Sequence, residues 1–90
     1  MNKLNILIVD DDPLDRMLLQ KDLEKLKFYS LAIESASTLK EFKERVISKS
    51  FDCIYLDCSL PDGNGISYLE ELAEAISVLP PIILLTGHND

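Results

Sequence analysis

Three short runs in this chain are apolar at consecutive positions, and each ends in a polar residue. Leu4 to Val9 runs into Asp10-Asp11-Asp12, with one polar break at Asn5. Phe51 to Asp57 has the apolar centre Cys53-Ile54-Tyr55-Leu56, and Ile82 to Thr86 closes on a hydroxyl. A strand with water on one side alternates apolar and polar residues. A run without alternation is a strand covered on both faces, the condition of a parallel sheet between layers of helix.

The intervening segments have helical spacing. After the Asp triplet, Asp12 can cap a helix and Pro13 fits its first turn, where a missing N–H costs nothing. Leu14, Met17, Leu18, Leu23 and Leu26 follow with charged residues between them, which predicts an amphipathic helix. A weak second strand is expected around Ser30 to Ser35. The second helix starts at Ser37 or Thr38, with Thr38 and Glu41 spaced as a capping box and Leu39, Phe42, Val46 and Ile47 on its apolar side. Cys58 to Gly65, with Pro61 and two glycines, reads as a loop. A third helix follows, with Ile66, Leu69, Leu72, Ala73 and Ile76 inward, and Pro80-Pro81 closes that segment. Four strands alternating with three helices predict an α/β fold with a doubly wound parallel sheet, in one domain over residues 1–90.

Composition narrows the partners. Sixteen acidic residues against nine basic give a net charge of −7, which disfavours nucleic acid and anionic membrane surfaces. The longest apolar stretch, Val78 to Leu85, is interrupted by Pro80 and Pro81 and falls far short of the roughly 20 residues of a membrane span. The opening residues have no leader pattern, so the expected location is the cytoplasm. Cys53 and Cys58 lie in one extended segment, too far apart along a strand to bridge, and without a nearby His they make a poor metal pattern. Both read as core thiols of a reducing compartment.

Ligands of doubly wound sheets bind beyond the carboxyl ends of the strands. If the first and third strands are neighbours, Asp10, Asp11 and Asp57 converge there, with Thr86 ending a further strand. Three carboxylates that close must share a proton or a cation, and hard oxygen ligands suit Mg²⁺. Taken alone, the Asp triplet reads first as a solvated turn with a helix cap; the second and third polar strand ends reverse that preference in favour of a site.

The motifs Ile6-Leu7-Ile8-Val9-Asp10-Asp11-Asp12-Pro13 with Arg16, Phe51-Asp52-Cys53-Ile54-Tyr55-Leu56-Asp57 followed by Leu60-Pro61-Asp62-Gly63-Asn64-Gly65, and Pro81-Ile82-Ile83-Leu84-Leu85-Thr86-Gly87-His88 together resemble a bacterial response-regulator receiver domain, in order and in spacing. The resemblance implies a flavodoxin-like sheet with strand order 2-1-3-4. It implies that Asp57 is the phosphoacceptor, that Asp10, Asp11, Asp57 and the backbone carbonyl of Ser59 hold Mg²⁺, and that Thr86 hydrogen-bonds the phosphoryl group as a switch. Pro61 and Gly65 would shape the adjacent loop. The implied phosphoryl donor is a phosphohistidine on a histidine kinase or histidine phosphotransfer protein. His88, the one histidine, is read as loop polarity rather than as a donor.

Against the family pattern the chain stops after the fourth strand, without the last helix-strand-helix, the Lys that pairs with the phosphoryl group, or the usual output face. The fourth strand is then expected to be an unpaired edge, so that the chain self-associates or takes a partner there. Three functions remain open: a phosphorylatable switch without turnover activity, a truncated receiver acting as an interaction module, and a phosphohydrolase resembling the haloacid dehalogenases. For the last, Asp10-x-Asp12 and Thr86 fit loosely, and Leu14 fits poorly.

Overall fold

The computed structural model describes residues 2–27 and 29–85. Its elements run β1 (Asn2–Val9), α1 (Pro13–Glu24), β2 (Tyr29–Ala36), α2 (Leu39–Ser48), β3 (Cys53–Asp57), β4 (Ser59–Leu60), β5 (Gly63–Asn64), α3 (Gly65–Ala75) and β6 (Ile82–Leu85). The last four residues of β1, Ile6 to Val9, are all buried. A strand buried on both faces has to be flanked and covered. β2 and β3 pair with it in parallel on either side, and β6 pairs in parallel with β3. The sheet order is β2-β1-β3-β6, the order that the resemblance implied, with β6 as the fourth strand.

Alternate residues of β1 serve two half-cores. Leu7 and Val9, with Ile54 and Leu56 of β3, pack under Leu39 and Phe42 of α2 and Leu72 of α3. Ile6 and Ile8 face the other way, against Leu19 and Leu23 of α1. The helices therefore lie on both faces of the sheet.

Most helix ends follow their local chemistry. Asp12 Oδ1 accepts the N–H of Leu14 at 2.9 Å, and Thr38 Oγ1 accepts that of Glu41 at 3.1 Å. The Glu41 carboxylate reaches back to the N–H of Ser37 at 2.9 Å, one residue before the cap. Asn64 Oδ1 caps α3 through Ile66 and Ser67.

Three expected apolar faces need correction. In α1, Leu19 and Leu23 face the sheet, whereas Leu14 (56% exposed), Met17, Leu18 (51% exposed) and Leu26 do not. The helix carries two apolar strips, and only one of them can face the sheet. In α2, Ile47 is exposed while Leu39, Phe42 and Val46 pack inward. In α3, Ile66 and Ala73 are exposed, and Tyr68 takes an inward place with its ring 6.0 Å from that of Phe42. The segment expected to be a plain loop holds the antiparallel ladder of β4 with β5, in which Ser59 pairs with Asn64 and Leu60 with Gly63. Pro61 and Asp62 form the turn between them, a composition suited to that position.

Candidate functional site: an acidic cluster at the strand ends

The register decides which side chains meet. Val9 lies beside Leu56 in the β1–β3 ladder, so the next residue of each strand, Asp10 and Asp57, emerges at the same edge of the sheet. Leu85 pairs with Asp57 on its other side. Asp10 is 5% exposed and Asp57 4%, while their neighbour Asp11 is open to solvent. One carboxylate oxygen from each of the three lies within 4.8 Å of the other two.

Backbone groups fix the two buried carboxylates. The N–H of Asp12 donates to Asp10 Oδ1 at 2.9 Å, and the N–H of Ser59 donates to Asp57 Oδ1 at 3.0 Å. Each hydrogen bond comes from two residues further along, so each acid is oriented by the turn that it begins. Asp10 is held from behind as well: its own N–H donates to the carbonyl of Ala36, and Arg16 of α1 donates from Nη1 to its carbonyl. Burial raises the Asp10 carboxyl above its ordinary value; the Asp12 N–H opposes this, and the charges of Asp57, Asp15 and Asp11 add to it. A crowded group of anions, two of them buried, is a donor set that a hard divalent cation would neutralise. The residues therefore fit Mg²⁺.

The loop after β3 is held close. Gly65 donates its N–H to the carbonyl of Cys58 at 2.8 Å, and a Cβ at Gly65 would lie 2.8 Å from the carbonyl oxygen of Asp57, so that only glycine lets α3 start this near the acid. Cys53 and Cys58 are free thiols, and burial raises that of Cys53, which makes it a weak nucleophile.

The structure thus brings Asp10, Asp11 and Asp57 together and sets Ser59 against Asp57. Thr86 and His88 lie outside the described residues. One contributor was missed in the sequence. Asp62, at the turn between β4 and β5, accepts the N–H groups of Leu39 and Lys40 at 2.9 and 3.2 Å. Its partners are 23 and 22 residues away, so no local pattern announces it.

Known proteins share this sequence pattern and this fold. The sequence profile of the response regulator receiver domain matches residues 6–90. The chain belongs to this family. It is similar to the sensory transduction protein LytR of Staphylococcus haemolyticus, with 31% identity over 86 residues, covering 96% of this chain and 33% of that protein. It is also similar to the transcriptional regulatory protein SrrA of Staphylococcus aureus, with 38% identity over 94% of this chain and 33% of that one. The response regulator protein PilR of Pseudomonas aeruginosa is 32% identical over 99% of this chain and 19% of its own length. The receiver chain therefore spans a third or less of these curated relatives. Among solved structures, the MaeR response regulator bound to beryllium trifluoride matches all of this chain and 70% of its own, at 36% identity and a TM-score of 0.83. The non-phosphorylated HemR receiver domain of Leptospira biflexa matches at 30% identity and a TM-score of 0.70, over 96% of this chain and 68% of its own.

Membership makes this a receiver domain of the two-component response regulators and sets the phosphohydrolase alternative aside. No helix among the described residues is long and apolar enough to cross a membrane.

Proposed function

We propose that this receiver is a Mg²⁺-dependent phosphoacceptor switch in the cytoplasm, with Asp57 as the residue that is phosphorylated. The observation that carries this reading is the meeting of two buried carboxylates with a third exposed one, all within 4.8 Å, at the ends of neighbouring parallel strands. The Ser59 N–H occupies Asp57 Oδ1 and fixes the plane of the carboxylate, which leaves the second oxygen as the nucleophile. That oxygen attacks the phosphorus of a phosphohistidine on a histidine kinase or phosphotransfer partner. The P–N bond breaks, the electron pair returns to the imidazole, and an acyl phosphate forms on Asp57. Asp10, Asp11, Asp57 and the Ser59 carbonyl would hold Mg²⁺, which supplies positive charge to the transferring phosphoryl oxygens. Thr86 would hydrogen-bond the phosphoryl group afterwards. MaeR is bound to beryllium trifluoride, which becomes tetrahedral like a phosphoryl group when a carboxylate oxygen adds to it, and this supports the assignment by analogy.

Intact mass after incubation with acetyl phosphate and Mg²⁺ tests this reading. One added phosphoryl group is expected in the wild type and none in Asp57→Asn. An unmodified wild type at saturating Mg²⁺ would overturn it. The second reading, an interaction module, is favoured by the apolar residues that β6 leaves open, Ile83 (44% exposed) and Leu84 (40% exposed). It is the outcome if the mass does not change while a partner still binds.

A further inference from the structure

If Ser59 is to present its carbonyl to a cation, the loop that carries it has to be fixed relative to Asp57. Part of that fixing is local. Ser59 pairs with Asn64 in the β4–β5 ladder, its N–H sits on Asp57, and Leu60 is buried in the main core. The remaining hold comes from a different element. The Asp62 carboxylate lies across the N-terminus of α2, with Oδ1 on the Leu39 N–H at 2.9 Å and Oδ2 on the Lys40 N–H at 3.2 Å.

Helix α2 already has a cap of its own. Thr38 Oγ1 takes the Glu41 N–H, and the Thr38 carbonyl takes the Phe42 N–H at 3.0 Å. An isolated helix leaves its other first-turn donors to water at little cost. Here both go to one carboxylate from the turn beside the acidic cluster. The approach is close enough that a Cβ on Gly63, at φ +153°, would sit 3.0 Å from Leu39 Cδ1. The cluster of hydrogen bonds holds the Asp62 carboxyl below its ordinary value, as expected for an acid that accepts backbone donors.

We propose that Asp62 is a positioning residue of the acidic site: by bridging from the β4–β5 turn to the first turn of α2, it holds the Ser59 carbonyl where a cation on Asp10, Asp11 and Asp57 needs it. The proposal rests on the reading of the cluster as a Mg²⁺ site. Coupling of this kind is reciprocal, so Mg²⁺ also tightens the hold of Asp62 on α2.

Calorimetric titration with Mg²⁺, run beside amide exchange at Leu39 and Lys40, tests it on the whole chain. Asp62→Ala is expected to weaken Mg²⁺ binding about fivefold. Thr38→Ala, which removes the local cap of the same helix but leaves the bridge, is expected to stay within about twofold of wild type. Mg²⁺ should slow exchange at Leu39 and Lys40 in the wild type and leave it unchanged in Asp62→Ala. Equal Mg²⁺ affinity in Asp62→Ala and wild type would remove the proposal, as would equal losses in Asp62→Ala and Thr38→Ala. Should Asp62→Ala fail to fold, Asp62→Asn keeps one carbonyl oxygen for Leu39 and should show a smaller loss in the same direction; an unchanged affinity there is again fatal. A wild type that takes up no Mg²⁺ overturns the metal reading itself, whereas normal wild-type binding with an unaffected Asp62→Ala removes only the bridge.

Discussion

Asp10 bears a negative charge in a place that resists it, enclosed by the sheet and faced by other acids. Its carboxyl lies above the ordinary value of 3.8, so the folded chain takes up a proton there more readily than the unfolded one. Its contribution to stability is therefore favourable below that value and is lost as the pH rises through the folded value. At neutral pH without metal, Asp10→Asn, which keeps an oxygen for the Asp12 N–H, should be more stable than wild type by about 1 kcal/mol. Urea denaturation at a series of pH values checks this. The gap should close toward pH 4, and Mg²⁺ should reverse the order; a gap that is the same at every pH would sink the argument. Asp62 has the opposite sign: its lowered carboxyl stabilises the fold above 3.8, and that support is lost as the pH falls through the folded value. Gly65→Ala should cost about 2 kcal/mol, because its new methyl meets the Asp57 carbonyl within 2.8 Å. Normal stability in that variant would mean that the start of α3 can move away freely. At this scale the sequence displayed Asp10, Asp11 and Asp57 plainly, because a buried strand that ends in an acid is visible in the chain itself. Asp62 was not visible, because what gives it meaning is a helix terminus more than twenty residues away.

Among the helices, α2 keeps its expected cap and, but for the exposed Ile47, its expected apolar side, and α1 does not. The cap and the apolar side of α2 were legible because Thr38, Glu41 and Phe42 act within one or two turns. In α1, Leu14, Met17 and Leu18 make as good a strip as Leu19 and Leu23, and spacing alone cannot tell which one the sheet selects. The difference is measurable. Leu23→Ala should cost about 2–3 kcal/mol in urea denaturation, and Leu14→Ala should stay within about 0.5 kcal/mol. Equal losses would place both strips in the core. The ladder of β4 with β5 was also hidden, since strands of two residues have no period to read.

For the whole molecule, the runs that are apolar on both faces called for a parallel sheet, the order β2-β1-β3-β6 is the one the family resemblance implied, and the position of β6 sets a further property. The carbonyls of Pro81 and Leu85 point toward β3, where they accept from Ile54 and Cys58. By alternation, Ile82 and Leu84 turn their backbone groups outward, beside half-exposed apolar side chains. The ninety-residue chain on its own should therefore self-associate in sedimentation velocity, and Leu84→Lys should shift it toward monomer. A wild-type chain that sediments as a monomer at high concentration would exclude pairing through this edge.

Asn64 belongs to two elements at once: it is the last residue of β5, paired with Ser59, and the cap of α3. No slack segment separates the acidic cluster from that helix. Any tilt of the ladder beneath Asp57 is thus delivered directly to the base of a rod of eleven residues, about 16 Å long. A small tilt of that ladder would then show as a larger excursion at the far end of α3, the pointer of a gauge whose pivot is the loop after Asp57.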